Sequence, residues 1–344
     1  MTNQLSIVPM REIAADLVDL ESLTSDLDAS LSKLAGMKVF FRTDYSKESV
    51  PLENLESSPR PCPYEIRSFS PESRERKVIG IDSSCAIIGE TEEGSIFAGR
   101  VAVVSATKSK IRTYYRAGPF VFYLTMKYLS EELRNVLPNR AVRAIASDTS
   151  LAERYIRIRL ERSAQILSAK TNDDSIILID GSIRSSALET KEFCLRELER
   201  AAESNSNSIL GIGKSTCLKV VSTAANLLQS VGKCGNYFDI TESVKVFTPS
   251  FAGRVLVARF SQNSRVFRVD VSRVNVEEDS QVLSDLKQND LLFRGYPETL
   301  RLAHHLAVFD SSTISSTRSY LSRKYGLIHI PSDDIRATIL GKLV

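Results

Sequence analysis

The chain is poor in the residues that build metal clusters and disulfide scaffolds. Its five cysteines, Cys62, Cys85, Cys194, Cys217 and Cys234, are scattered with no C-x-x-C pair, which excludes a zinc ribbon and a disulfide framework. They read as small buried apolar residues. No apolar run approaches the roughly 20 residues that cross a bilayer, and the opening MTNQLSIVPMRE lacks the regions of a secretory signal. The expectation is no membrane partner and a cytoplasmic location. Histidine is limited to three positions, His304, His305 and His329. A formal charge of +3 falls short of a histone-like basic excess, so nucleic acid is permitted without being required. A phosphate-binding loop is missing too. Gly211-Ile212-Gly213-Lys214-Ser215 resembles one, but Ser208 stands where a P-loop needs its first glycine, and Thr216 ends any G-x-G-x-x-G reading.

What is present is an ordinary globular composition, 42% hydrophobic over 344 residues, enough for one large elaborated domain or two smaller ones. The organising stretches are Val78–Ser83, VIGIDS, and Ile176–Ser182, IILIDGS. Each is an apolar run of strand length ending in an aspartate followed by small residues, the pattern of a strand buried on both faces that delivers a carboxylate to the sheet's rim. Buried acids are costly unless paired or bound to cations. Asp82 and Asp180 together therefore suggest a shared Mg²⁺ or Mn²⁺ site; the alternative is that each caps a neighbouring loop.

Residues 1–45 form an N-terminal region in which Ile13, Leu17, Leu20, Leu27, Leu31 and Leu34 keep alternating four- and three-residue spacing, broken at Thr24. This predicts an amphipathic helix packed on its own domain or used for association. Residues 46–77, with Pro51, Pro59, Pro61, Pro63 and Pro71, read as an irregular connector. Beyond the first aspartate strand, Ser95–Ser105 and a run from Lys108 to Arg116 predict an antiparallel meander. Strand periodicity puts Lys108, Lys110, Arg112 and Tyr114 on one face, a stripe suited to DNA backbone and base stacking or simply a solvated surface. Phe120–Leu137 is expected to be helical, stopped by Pro138. Ser150 to Glu153 reads as a capping box opening a helix to about Lys170, which gives Glu153 a structural task and leaves Glu161 as the third acid. Glu161 also has Arg157, Arg159 and Arg162 nearby, so an exposed ion pair is its alternative.

After the second aspartate strand come a helix over about Ser185–Glu203 and a strand at Ile209–Ile212, a right-handed βαβ unit. Lys214 at that strand's end can face a phosphate near the carboxylates, or merely begin the next helix. Val255–Phe260 and Val266–Val271 predict a second hairpin, and Asp279–Lys287 and Arg301–Phe309 predict helices. Adjacent His304 and His305 diverge by about 100° on a helix, so at most one serves a given site, where an imidazole beside carboxylates favours Mn²⁺ over Mg²⁺. The order of elements predicts an α/β fold: a ribonuclease-H-like mixed sheet flanked by helices, with an N-terminal helix and C-terminal helical and hairpin elaborations.

These residues resemble the archaeal and bacterial NurA nucleases: VIGIDSS with Asp82, a helix glutamate at Glu161, IILIDGS with Asp180, GIGKS with Lys214, and YPETLRLAH ending at His304. The resemblance spans nearly the whole chain and makes residues 78–344 a nuclease domain. It implies a Mn²⁺-dependent DNA nuclease, with 5′ to 3′ exonuclease action on single- and double-stranded DNA and endonuclease action on single strands. It further implies a homodimer acting with a hexameric HerA-type ATPase in double-strand-break end resection. Asp82, Glu161, Asp180 and His304 take the metal-ligand positions, with Lys214 beside the scissile phosphate. Asp-Ser-Ser stands where many relatives have Asp-Gly-Ser, a change expected to affect a turn after Asp82. The rival reading is a non-catalytic clamp or adaptor holding DNA or a motor ATPase; degenerate copies of that kind commonly lose an acid, and none is missing here.

Overall fold

The computed structural model describes Ser32, residues 35–36, 38–39 and 64–330, apart from 215–217, 232, 248–250, 252 and 263. The helix expected over Ile13–Leu34 and the greater part of the 46–77 connector lie outside the described residues. Two short strands come first, β1 (Lys38–Val39) and β2 (Arg67–Ser68). The meander then follows as β3 (Val78–Glu90), β4 (Gly94–Thr107) and β5 (Lys110–Thr125).

Helices α1 (Met126–Glu131), α2 (Leu133–Val136) and α3 (Asn139–Ser147) lead to the long α4 (Thr149–Thr171). Next come β6 (Ile176–Asp180), α5 (Leu195–Ser204) and β7 (Ser208–Gly213), the expected βαβ unit. The chain continues through α6 (Lys219–Val231), β8 (Asn236–Asp239), α7 (Thr241–Lys245), β9 (Gly253–Arg259) and β10 (Phe267–Ser272). It closes with α8 (Asp279–Asn289), the hairpin β11 (Leu292–Phe293) and β12 (Tyr296–Pro297), α9 (Glu298–Ala307), α10 (Ser311–Tyr325) and β13 (Ile328–His329).

Nine strands form one mixed sheet in the order β2-β8-β9-β10-β7-β6-β3-β4-β5. The centre, β3-β6-β7, is parallel, and every other pairing is antiparallel. This is the ribonuclease-H-like arrangement expected from the order of elements, extended at the β7 edge by a second antiparallel block. The central strands are apolar on both faces because both faces are covered. Ile79, Ile81, Ile177 and Ile179 pack with Ile156 and Leu160 of α4 and Leu198 of α5, while Val78, Ile176, Leu178 and Leu210 pack with Leu283 and Leu286 of α8 and Leu300 of α9. The end of the central strands opposite Asp180 is held by an ion pair. Arg76, 2% exposed, donates to Glu277 and to Ser208, fastening the described end of the connector to the sheet.

Several boundaries differ from the sequence reading. β5 runs on to Thr125, so the helix expected from Phe120 starts at Met126; aromatic and β-branched residues at 120–124 favour the pleated surface and complete the pairing with β4. The stripe of Lys108, Lys110, Arg112 and Tyr114 does not share a face. Lys108 sits in the turn at positive φ, and pairing slips by one residue where Thr113 faces Ser105 and Ile111 faces Ala106, leaving Arg112 as the extra residue of a bulge. Lys110 and Tyr114 consequently point to opposite sides. The helix expected from Ser185 begins at Leu195, because the Glu189 carboxylate accepts from Leu195 N–H and fixes the start there. Asp148, not Ser150, caps α4, accepting from Ser150 N–H at 2.8 Å.

Candidate functional site

Asp82 is not at a strand end. β3 continues past it to Glu90, paired only with β4, whereas β6 stops at Asp180. The rim is made by the shorter strands, and the two acids lie level because Ile81 pairs with Ile179 in parallel register. Alternation then puts Asp82 and Asp180 on the same face, the one covered by α9. The Asp-Ser-Ser sequence consequently alters no turn. Gly80 decides how α9 sits: a Cβ there would lie 2.5 Å from the Thr299 carbonyl carbon, so only glycine lets the helix backbone rest on the strand. From that contact, five helical residues advance about 7.5 Å and two strand residues about 6.6 Å, which brings His304 over Asp82.

His304 Nδ1 lies 2.7 Å from Asp82 Oδ2, a hydrogen bond in which the imidazole donates to the carboxylate. His305, exposed like His304, is not one of the residues whose ligand atoms converge. Asp82, Asp180 and His304 each offer a ligand atom, and these lie within 4.8 Å of one another. Around Asp180, Lys214 Nζ lies 2.7 Å from Oδ2 and the Tyr296 hydroxyl donates to Oδ1 at 3.0 Å. Burial pushes the Asp82 carboxyl upward, the His304 bond opposes this, and the Asp180 charge adds to it. Burial beside two carboxylates likewise raises Tyr296, keeping its hydroxyl a donor.

Two carboxylates and an imidazole converging at the open end of a sheet form a donor set that fits a divalent cation. In this arrangement the Lys214 ammonium and the His304 N–H supply the positive ends that such a cation would otherwise provide.

Glu161 is near this group without joining it. Ser83 points to the opposite face of β3 from Asp82, and its hydroxyl donates to Glu161 Oε2 and to the Arg157 carbonyl, both 3.1 Å away. Gln165 donates to Glu161 Oε1 at 3.0 Å. The helix ion pair offered as an alternative does not form with Arg162, which binds Glu189 and Gln165 instead. Burial, followed by the Asp82 charge, pushes the Glu161 carboxyl up to about 7, although Arg162, Arg157 and the Ser83 hydroxyl oppose it. Glu153, the other glutamate weighed for this place, lies two turns nearer the start of α4.

The stripe residues Lys108, Lys110 and Arg112 are exposed, but the structure does not bring them to the acids. Arg116, not Arg112, is level with Asp82 across β4, and Lys108 pairs with Glu75 at 2.6 Å. Two contributors carried no role in the sequence reading. Tyr296 stood only as the first letter of YPETLRLAH; its signal is its place just before the helix that bears His304. Asp270, wholly buried, accepts from Ile183 N–H and from Arg268, fixing the turn that follows Asp180. A lone acid inside the apolar strand VFRVDVS was the signal for it.

A model of the NurA domain matches residues 76–309. No curated protein matches the sequence. Among solved structures, the NurA nuclease from Sulfolobus solfataricus is 14% identical over 92% of this chain and 98% of its own, with a TM-score of 0.47. A NurA bound to dAMP and manganese is 10% identical over 71% of this chain and 88% of its own, at 0.40. Endonuclease V from Bacillus subtilis is 13% identical over 72% and 83%, at 0.34.

Proposed function

The chain belongs to the NurA family, and we propose that it is a metal-dependent DNA nuclease whose centre is Asp82, Asp180 and His304. The observation that carries this reading is the convergence of three ligand atoms from β3, β6 and α9, remote in sequence, within 4.8 Å of one another. The donor set favours Mn²⁺, with Mg²⁺ as the alternative. A divalent cation held by Asp82, Asp180 and His304 would polarise a phosphoryl oxygen and make water nucleophilic at neutral pH.

The chain's own residues do the rest. Asp82 and Asp180 present carboxylate oxygens on one face, and His304 approaches them from α9. Tyr296 orients Asp180 through Oδ1, leaving Oδ2 to Lys214. Lys214 is 45% exposed at its side chain, so on substrate binding it is free to leave Asp180 and neutralise the scissile phosphate. Glu161, held by Ser83 on the other face, supplies the further acid. Burial and the Asp82 charge raise its carboxyl to about 7, and a cation bound nearby would favour its ionised form.

The finer reading follows the family: 5′ to 3′ exonuclease action on single- and double-stranded DNA, single-strand endonuclease action, and a homodimer feeding end resection with a HerA-type hexameric ATPase. Residues 1–45 are the N-terminal region, 46–77 the connector and 78–344 the nuclease domain. Of the stripe, the exposed Lys110 and Arg112 contribute backbone contacts to duplex away from the centre, whereas Lys108 is engaged by Glu75 and Tyr114 points to the side opposite Lys110. No described helix is long and apolar enough to cross a membrane. The test is digestion of end-labelled single- and double-stranded DNA with Mn²⁺ against EDTA. Shortening from the 5′ end with Mn²⁺ only is expected; products that persist in EDTA, or an inert wild-type chain, overturn the reading.

A further inference from the structure

Beside the acidic centre stands the β11–β12 hairpin. Its turn, Arg294-Gly295, has positive φ at both residues, 51° and 82°, as a two-residue type I′ turn requires. The tip is fixed in place. A Cβ on Gly295 would run into the Ser264 side chain, and the Tyr296 ring packs on Phe267 with centroids 5.7 Å apart. Phe293 nevertheless remains 50% exposed at this fixed tip. An aromatic left in water by a rigid turn forfeits the burial that normally justifies it.

The charges around that ring are unequal. The Arg301 and Arg294 guanidiniums lie over the ring, 4.8 and 5.6 Å from its centroid, so a base stacking there takes the place of the Arg294 contact. Glu298 holds Arg301 through two hydrogen bonds. Arg294 and the neighbouring Arg265 have no acidic partner among the described residues, and both are exposed. A pocket of about 660 Å³ joins Lys214, Tyr296 and His304 at its inner end to Arg265, Phe293 and Arg294 at its outer end. Lys214 and His304 belong to the proposed cleavage centre, so the same pocket places the hairpin tip beside that centre.

We propose that the hairpin tip is a single-strand subsite for the nucleotide adjoining the scissile phosphate, with an unpaired base stacked at Phe293 and backbone phosphates on Arg265 and Arg294. The proposal rests on the nuclease reading above. A ring offers stacking to any base with a free face, which a paired duplex interior does not present, so the tip selects frayed ends and single strands. Its two guanidiniums, Arg265 and Arg294, neither with an acidic partner among the described residues, supply phosphate contacts without sequence preference.

Binding in EDTA, where nothing is cut, tests this on the full chain. Fluorescence anisotropy compares a single-stranded oligothymidylate with an abasic oligomer of equal length. The wild-type chain binds the base-bearing strand about tenfold more tightly. Phe293→Ala loses that preference and Phe293→Trp keeps it, a pattern that loss of fold would not produce. Replacing Arg265 and Arg294 by Ala weakens both strands alike and flattens the logarithmic salt dependence by about 1.4, two single-strand phosphate contacts at about 0.7 each. Undiminished base preference in Phe293→Ala, or an unchanged salt slope in the arginine variant, overturns the subsite alone if the wild type still cuts DNA. A wild type that neither binds nor cuts single strands overturns both readings.

Discussion

On one face of β3, Asp82 meets an imidazole while its neighbour Asp180 meets an ammonium and a phenol; on the other face, Glu161 meets only a hydroxyl and an amide. The difference shows what each acid does before substrate arrives. Where N–H and O–H donors bind the carboxylates directly, their oxygens are held in a fixed geometry. At Glu161, burial and the Asp82 charge drive the carboxyl toward neutrality near pH 7. One strand thus separates the two acids proposed as ligands from an acid whose carboxyl burial raises to about 7.

The comparison is broken most severely by removing an acid from the open face. Asp82→Ala or Asp180→Ala is expected to reduce Mn²⁺-dependent cleavage by about a thousandfold or more while circular dichroism stays native. Near-normal cleavage by either variant removes the pair from the centre. On the other face, Glu161→Gln keeps the shape and removes the charge, and cleavage should fall by only about ten- to a hundredfold. A loss as deep as that of Asp82→Ala would erase the proposed distinction between the faces. Tyr296→Phe leaves Asp180 in place and deletes one donor, for an expected loss of about tenfold, read as weaker Mn²⁺ binding by calorimetry.

A smaller effect concerns stability against pH. Glu161 and the buried Asp290, which accepts from Thr299 beneath the start of α9, are both raised to about 7. An acid whose folded pKa lies above its unfolded one favours folding least when ionised. Its penalty is absent below the unfolded value, near 4, grows as pH rises, and is complete above 7. Metal-free Glu161→Gln and Asp290→Asn should therefore gain stability relative to wild type between pH 5 and 8, by up to a few kcal/mol. Urea melts at the two pH values measure this, and a gain independent of pH would contradict the shifts. The smallest effect is expected from replacing Lys110 and Arg112 by Ala. Lying away from the centre, they should change cleavage by no more than about twofold while lowering duplex affinity at low salt.

Much of the fold was legible because β3 and β6 are covered on both faces and must read as unbroken apolar runs. Asp82 and Asp180 stood out for the same reason, as acids inside such runs. Local irregularities were not legible. The bulge at Arg112 is set by pairing with β4, and alternation in one strand cannot reveal a slip relative to another. The cap at Asp148 competed with a Ser150-Glu153 pattern of equal merit on paper. Tyr296 and Asp270 act on Asp180 and its turn only through the contacts of β12 and β10, which no spacing encodes. Glu161 was singled out by an argument from capping that the structure does not uphold, yet it lies one hydroxyl from β3.

The central claim is that Asp82, Asp180 and His304 hold a divalent cation for phosphodiester cleavage. Anomalous diffraction from a crystal soaked in Mn²⁺ tests it most directly. The account predicts a peak within bonding distance of both aspartates, with His304 beside it and Lys214 withdrawn from Asp180. A peak bound elsewhere, or none at a concentration that supports cleavage in solution, would contradict it.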